Sequence, residues 1–109
     1  MDELVAKGES VYQMNCVACH QVNGAGIPGI FPALAGSDIV MNNKPRNVEI
    51  LMEGVQGAAM QSFANQLSEV DMAAVITYTR RAWGNDAKGD GEIVAPKEIV
   101  EYKENKIKI

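Results

Sequence analysis

The sequence predicts an all-α fold, and three observations support that prediction. Apolar residues recur three and four positions apart in three separate segments, which is the period of an amphipathic helix. Strand-like alternation of apolar and polar residues is absent from the sequence of residues 1–87. Glycines and prolines are concentrated between the periodic segments, where they divide the chain into helices and loops.

The first predicted helix covers residues 3–15, where Leu4, Val11 and Tyr12 share one face. Gly8 lies inside this helix and costs about 1 kcal/mol relative to alanine. We therefore expect Gly8 to mark the point at which another helix approaches closely.

The remaining elements follow from turn and capping signals. In chain order they are a loop over residues 21–36, a short turn capped by Ser37 and Asp38, a helix over residues 46–54 preceded by Pro45, and a loop over residues 55–67. The clearest helix covers residues 69–82, with Ser68 as its N-cap. Arg80 and Arg81 lie in its last turn, where cations are favoured, and we expect both side chains to be solvated.

The composition indicates one small domain with a thin core. The chain has 109 residues, of which 47% are apolar and only 6% aromatic. A domain of this size buries about 60–70% of its unfolded surface, so we expect a further apolar group in the core. We divide the chain into a domain over residues 1–87 and a C-terminal tail over residues 88–109, which is either an extended arm or one short helix.

Charge and hydropathy exclude several classes of protein. The net charge is −4 and no basic cluster is present, so nucleic acid is not an expected partner. The sequence has no run of about 18 apolar residues, so this segment itself is not expected to insert into a membrane. The N-terminus lacks the basic start and apolar stretch of a signal peptide, which indicates either a removed leader or a piece of a longer chain.

The motif Cys16-Val17-Ala18-Cys19-His20 contains both cysteines and the only histidine of the chain. This Cys-x-x-Cys-His spacing is the attachment signature of a c-type haem. Thiols at positions i and i+3 lie about one helical turn apart, so each can bond to one vinyl group of the porphyrin while the histidine reaches the iron. The motif therefore predicts one covalent haem c.

Other chemistries explain this motif less well. A redox-active dithiol is expected within a βαβ unit, which the sequence does not predict, and it would not require His20. A zinc site usually has four ligands, whereas the motif offers three. A disulfide between Cys16 and Cys19 would be strained and would leave the apolar residues of the following loop without a partner.

The sixth iron ligand is expected to be a methionine, because the chain has no second histidine and His/Met ligation suits electron transfer. Met60 is the preferred candidate, since it lies in an irregular stretch of small residues between two predicted helices. Met41 and Met52 remain as alternatives. Because protein ligands would fill both axial positions, we expect no catalysis by this domain alone.

Residues 5–84 resemble the class I, single-haem cytochromes c. The resemblance rests on Gly8-x-x-x-Tyr12-x-x-x-Cys16-x-x-Cys19-His20, Phe31-Pro32-Ala33-Leu34-x-Gly36, Met60-x-x-Phe63 and Arg80-Arg81-Ala82-Trp83-Gly84-Asn85. It implies the cytochrome c fold, in which three to four helices wrap around a covalently bound haem and the N- and C-terminal helices cross.

The same resemblance assigns further residues to the cofactor. It implies that Pro32 contacts the haem on the histidine side and that its carbonyl orients the imidazole of His20. It also places Leu34 and Phe63 among the residues that bind the haem. Tyr12, Tyr78 and Trp83 are expected to pack mainly in the core.

Because the core is thin without the haem, the chain without haem is expected to be largely unfolded.

A narrower resemblance links the chain to the cytochrome c domain fused to subunit II of bacterial haem-copper oxidases. It rests on Phe63-Ala64-Asn65-Gln66-Leu67-Ser68, Ala73-Ala74-Val75-Ile76-Thr77-Tyr78 and Trp83-Gly84-Asn85. It implies an electron-entry domain of a terminal oxidase, at the periplasmic face of the bacterial inner membrane. Such a domain takes electrons from a donor cytochrome or another redox protein and passes them to the copper centre of subunit II.

The alternative is a free periplasmic cytochrome c that shuttles electrons between membrane complexes. In either case the net negative charge indicates a basic redox partner.

Overall fold

The helices account for most of the structure. The computed structural model describes residues 2–21, 23–27, 33–54, 63, 67–89 and 92–108. These ranges contain α1 (Asp2–Asn15), α2 (Val17–His20), α3 (Asp38–Asn42), α4 (Lys44–Glu53), α5 (Glu69–Arg81), a 3₁₀ turn (Ala82–Gly84), α6 (Asn85–Lys88) and α7 (Pro96–Lys108). No β-strand occurs within them, so the predicted all-α class is confirmed. None of these helices is long and apolar enough to span a membrane.

Polar caps begin three of the helices. The hydroxyl oxygen of Ser37 accepts from the Val40 amide at 3.4 Å, and that of Ser68 accepts from the Asp71 amide at 3.1 Å, which confirms both predicted caps. Helix α4 starts earlier than the predicted position 46, because the Asn43 side chain caps it and brings the first turn forward to Lys44.

Helix α5 forms the centre of the fold, since its residues 72–77 are all buried. Helix α1 packs against it at Gly8, where an added Cβ atom would lie 2.0 Å from the Ala74 carbonyl oxygen. Only glycine allows two helix backbones to approach this closely. The close approach expected at Gly8 is therefore confirmed.

The described part of the tail packs against α5 as a helix rather than lying over the surface as an arm. Val94 and Ile99 are completely buried in the same core as α1 and α5. The Thr77 hydroxyl donates to the Val94 carbonyl at 3.1 Å and accepts from the Val94 amide at 2.9 Å. The boundary between a domain over residues 1–87 and a tail over residues 88–109 stays a prediction.

Arg80 corrects one expectation from the sequence. Its side chain is 0% exposed rather than solvated. Its Nε atom donates to the Glu92 carbonyl at 3.1 Å, and its Nη1 atom donates to the Val40 carbonyl at 3.1 Å. The preference for cations in the last turn of a helix takes account of that helix alone. Here α3 and the tail both cover the end of α5.

Candidate functional site

The Cys-x-x-Cys-His motif forms a single helical turn that continues from α1. The Cys16 amide donates to the Tyr12 carbonyl at 2.8 Å, and the His20 amide donates to the Cys16 carbonyl at 2.9 Å. Cys16 is the N-cap of α2, and Cys19 lies within that helix. Because helix positions i and i+3 share one face, positions 16 and 19 lie on the same side of this turn.

The described side chains of this turn lie at the edge of the apolar core. Cys16 and His20 are each half-buried. Cys16, Val17 and Leu34 pack against the main core cluster, which also contains Tyr12. The motif is therefore accessible from solvent on one side and bordered by apolar groups on the other.

Tyr12 holds the residue that follows the histidine. Its hydroxyl donates to the Gln21 carbonyl at 2.6 Å, although Tyr12 itself is almost completely buried. Gln21 has a φ of 68°, a left-handed conformation that is uncommon outside glycine and needs such support. Burial, and then the nearby Cys16 and Tyr78, raise the pKa of the Tyr12 hydroxyl far above its usual value, so it stays a neutral donor.

The loop after the motif is tied back to it through main-chain hydrogen bonds. The Gly26 amide donates to the His20 carbonyl at 3.0 Å. The Leu34 and Ala35 amides both donate to the Gly24 carbonyl, at 2.7 and 3.0 Å. Residues 33–36 therefore lie next to the segment that follows the histidine.

Asn85 connects this loop to the end of α5. Its Oδ1 atom accepts from the Gly36 amide at 2.8 Å, and its Nδ2 atom donates to the carbonyls of Leu34 at 3.2 Å and Thr79 at 2.9 Å. Sequence reasoning assigned no role to Asn85, because its partner Gly36 lies 49 positions earlier in the chain. The only signal in the sequence was a polar residue following Trp83-Gly84.

Three aromatic side chains form a cluster beside this site. The ring centroids of Tyr12 and Tyr78 are 5.5 Å apart, those of Tyr12 and Trp83 are 5.3 Å apart, and those of Tyr78 and Trp83 are 5.8 Å apart. The two contacts with Trp83 have edge-to-face geometry, which is favourable for aromatic rings. The expectation that these residues pack mainly in the core is confirmed for Tyr12, which is buried, while Tyr78 and Trp83 are partly buried and pack against the core cluster.

Two apolar residues that were predicted to bind the cofactor border the same core as Cys16. Leu34 is half-buried and packs against the core cluster, of which Phe63 is a buried member. The Phe63 amide donates to the Leu51 carbonyl at 2.9 Å, which attaches this residue to the end of α4. Cys16 and Leu34 thus both pack against the core cluster to which Phe63 belongs.

Other residues predicted to hold the haem lie outside the described residues. These are Pro32, Met60 and the side chain of Cys19, and their assignments stay predictions. The alternative sulfur ligands Met41 and Met52 are described, and both are buried. Met52 belongs to the core cluster, a common position for a methionine that fills space.

Comparison with known proteins identifies a family. Residues 3–78 match the family model described as "Cytochrome C oxidase, cbb3-type, subunit III". Over 100 residues the chain is 38% identical to cytochrome c-552 of Thermus thermophilus, and the match covers 79% of this chain and 75% of that protein. Over 92 residues it is 35% identical to the cytochrome c subunit of the quinone alcohol dehydrogenase of Gluconobacter oxydans (strain 621H).

The lengths of these relatives differ widely. The match covers 75% of this chain but only 19% of the Gluconobacter subunit. Among solved structures, cytochrome cL from Hyphomicrobium denitrificans is similar, with a TM-score of 0.53 and 28% sequence identity. That similarity covers 71% of this chain and 46% of cytochrome cL. The relatives thus include cytochrome subunits of dehydrogenases as well as a cytochrome c-552.

Proposed function

This chain belongs to the c-type cytochrome family whose model is described as cytochrome c oxidase, cbb3-type, subunit III, and we propose that Cys16, Cys19, His20 and Met60 hold its haem. Electron transfer and a covalent haem c are properties of this family. The Cys-x-x-Cys-His motif, which lies on one helical turn directly after α1, supports the assignment of Cys16, Cys19 and His20. Met60 is supported by its place in the sequence, in an irregular stretch of small residues between two predicted helices.

The residues around the motif fit a haem in two respects. Cys16, Val17 and Leu34 border the apolar core while remaining partly exposed, which suits a large apolar ring with one accessible edge. The backbone at the histidine and at the residue after it is also fixed by hydrogen bonds, from the Gly26 amide to the His20 carbonyl and from the Tyr12 hydroxyl to the Gln21 carbonyl.

The chain's own residues would keep the ligand geometry constant during electron transfer. The bound haem supplies an iron that alternates between ferrous and ferric states. His20 and Met60 would ligate that iron, and covalent attachment at Cys16 and Cys19 would prevent loss of the cofactor. Because the hydrogen bonds around His20 restrain its backbone, the ligand has little freedom to move when the charge of the iron changes.

The ligand assignment is tested by methionine exchange in the holoprotein. In Met60→Ala we expect loss of the far-red charge-transfer band of oxidised Met-ligated haem, together with binding of small ligands to the sixth position. Met14→Ala is a matched control, since Met14 is 81% exposed. Survival of the band in Met60→Ala and its loss in Met41→Ala or Met52→Ala would overturn the assignment.

The proposed partner is a copper-containing oxidase subunit. On this proposal the domain is the electron-entry domain of oxidase subunit II, lies at the periplasmic face of the inner membrane, and receives electrons from a cytochrome or another redox protein. The resemblance in Phe63 to Ser68, Ala73 to Tyr78 and Trp83 to Asn85 supports it. The net charge of −4 favours basic partners, so the rate of electron transfer with a basic redox protein should fall as salt rises.

A free periplasmic carrier is the second candidate. It is favoured by the match to cytochrome c-552, three quarters of whose length (75%) is covered. Haem staining of proteins from the producing bacterium distinguishes the two. A stained membrane band much larger than 109 residues supports the oxidase domain, and a soluble periplasmic band near that size supports the free carrier.

A further inference from the structure

We propose that Asn85 is a positioning residue for the axial histidine, acting through the loop over residues 33–36. This inference rests on the proposed function, in which His20 is an iron ligand. Asn85 lies beyond residue 78, where the match to the family model ends, so that match does not include it.

The Asn85 carboxamide is completely buried and all of its polar positions are used. Its exposure is 0%. One amide hydrogen goes to the Leu34 carbonyl, the other to the Thr79 carbonyl, and the oxygen accepts from the Gly36 amide. A carboxamide is the side-chain group that offers two donors and an acceptor at these positions. Its removal would leave three main-chain groups without this partner, of which the Thr79 bond is buried and the Leu34 and Gly36 bonds are partly buried.

The loop held by Asn85 reaches the histidine through one further residue. The Leu34 and Ala35 amides both donate to the Gly24 carbonyl, at 2.7 and 3.0 Å. Gly24 lies within the short segment in which the Gly26 amide donates to the His20 carbonyl at 3.0 Å. A displacement of residues 34–36 would therefore act on the hydrogen bond that restrains the backbone of His20.

Trp83 supplies a second, independent contact between the same two regions. It lies two residues before Asn85, and its ring packs on Gly24 so closely that an added Cβ atom would lie 2.7 Å from three ring carbons. The region after α5 thus contacts the segment that follows the histidine through the Trp83 indole on Gly24. It contacts residues 34–36 through the Asn85 carboxamide. Two contacts restrain both the position and the rotation of the loop.

The contacts made by Asn85 and Trp83 should control the orientation of His20 as an iron ligand. Groups that fix the backbone and ring of a metal-bound histidine alter its bond to the metal and thereby the reduction potential. In Asn85→Ala the loop loses the hydrogen bonds that anchor it to α5, while His20 and the covalent attachment are retained. We therefore expect a changed histidine environment without loss of haem.

The experiment compares Asn85→Ala with Thr77→Val in the haem-loaded protein. Thr77 is a matched control because it is also completely buried and has two hydrogen bonds to a main-chain partner, but they join α5 to Val94 in the tail. Amide hydrogen exchange is measured at Leu34, Ala35 and Gly26. The paramagnetically shifted NMR resonances of the His20 ring and the midpoint potential are recorded in parallel.

In Asn85→Ala we expect exchange at these three amides to be faster by about tenfold, as for loss of anchoring hydrogen bonds. We also expect shifted His20 resonances and an altered potential, none of which should occur in Thr77→Val. Asn85→Ser, which keeps one donor and an acceptor, should give an intermediate response and can be used if the alanine variant folds poorly. Unchanged exchange at these three amides together with unchanged His20 resonances would overturn the proposal, even if the Gly36 amide, which loses its direct bond to Asn85, exchanges faster.

Failure of the proposed function has a different signature. A wild-type protein whose haem lacks a His20 ligand would overturn both proposals. A wild-type protein with the His20 ligand, combined with Asn85 variants that match Thr77→Val in every readout, would overturn only the positioning role of Asn85.

Discussion

Helix α5 is packed on two sides, and the two contacts are built differently. On one side, α1 approaches so closely that an added Cβ atom at Gly8 would lie 2.0 Å from the Ala74 carbonyl oxygen. On the other side, the tail packs through the buried side chains of Val94 and Ile99 and through the hydroxyl of Thr77. The α1 contact depends on the absence of a side chain, whereas the tail contact depends on side chains.

The two contacts also differ in their relation to the site. Helix α1 leads directly into Cys16, and its Tyr12 hydroxyl holds the Gln21 carbonyl. The tail instead connects to α4, where the Tyr102 hydroxyl donates to the Glu53 carboxylate. The family match covers residues 3–78 and thus includes α1 but not α7. Changes in the α1 contact should therefore reach the haem site, while changes in the tail contact should affect stability alone.

The largest effect is expected from removing the covalent haem. If the two contacts of α5 were sufficient for folding, the double variant Cys16→Ala/Cys19→Ala would still be folded. We expect it to be largely unfolded, because a chain of 109 residues with few aromatics has too little apolar surface of its own. Circular dichroism during thermal and urea unfolding checks this. A cooperative haem-free transition would contradict it.

Ile99→Ala tests the tail contact. Because Ile99 is completely buried in the core, we expect a loss of about 3 kcal/mol in the free energy of unfolding. The haem spectrum should not change. Val100→Ala is the matched control, since the neighbouring Val100 is 38% exposed and should change stability by less than about 0.5 kcal/mol. Equal urea midpoints for the two variants would show that α7 adds no stability.

Gly8→Ala tests the α1 contact. Alanine favours the helix by about 1 kcal/mol, but its methyl group would meet the Ala74 carbonyl, so we expect a net loss of about 2 kcal/mol. Unlike Ile99→Ala, it should also alter the haem spectrum, because α1 must move and carries Cys16 with it. Ser10→Ala, at an exposed position of α1, is the control. An unaltered spectrum in a destabilised Gly8→Ala protein would contradict the link between this contact and the site.

Alkaline pH should weaken the packing on both sides of α5, since α1 and α7 each carry a tyrosine with a raised pKa. Burial is the main cause for Tyr12 and Tyr78 beside α1. Burial and then the Glu53 carboxylate raise the pKa of Tyr102 in the tail to about 12. The unfolded chain ionises near pH 10, before the folded chain does. Stability is thus complete below pH 10 and falls as the pH rises further.

Urea unfolding between pH 8 and pH 11.5 checks this dependence on pH. Tyr12→Phe and Tyr102→Phe should each reduce the slope above about pH 10. Tyr12→Phe should also cost about 1 kcal/mol at neutral pH, because it removes the hydrogen bond to the Gln21 carbonyl. A urea midpoint that does not change up to pH 11.5 would contradict the assignment of the raised pKa values.

The smallest effects are expected from the partly exposed ion pairs on the two sides of α5. Lys7 and Asp71 join α1 to α5 at 3.3 Å, and Lys103 and Glu69 join α7 to α5 at 3.4 Å. Surface pairs of this kind contribute little and are screened by salt. Lys7→Ala and Lys103→Ala should leave the urea midpoint almost unchanged at high salt. A large, salt-independent loss in either variant would show that charge, rather than packing, holds that contact.

Much of the fold could be predicted because its signals are local. The caps at Ser37 and Ser68 each act within three residues, and the apolar period of α5 repeats along one helix. Gly8 was informative because a glycine within a helix is costly unless a neighbour requires it. The positions of Cys16 and His20 on one turn likewise follow from their spacing in the chain.

Other features could not be predicted because their partners are distant in sequence. Arg80 donates to a carbonyl 40 positions earlier, and Asn85 donates to one 51 positions earlier. Neither the hydrophobic pattern nor helix propensity indicates such a pairing. The expectation that Arg80 is solvated was therefore wrong, and no role was assigned to Asn85. The tail illustrates the same limit, since it is attached to α5 by contacts such as the hydrogen bonds between Thr77 and the Val94 backbone, 17 positions apart.

By itself, the sequence determined the helical class, the haem-attachment motif and the need for one close helix contact at Gly8, because each depends on residues within a few positions of one another. The tertiary structure alone decided that the tail covers α5 and that Asn85 holds the loop beside His20. Buried polar groups must find partners wherever the packed chain places them, and that placement results from the whole fold rather than from any local segment.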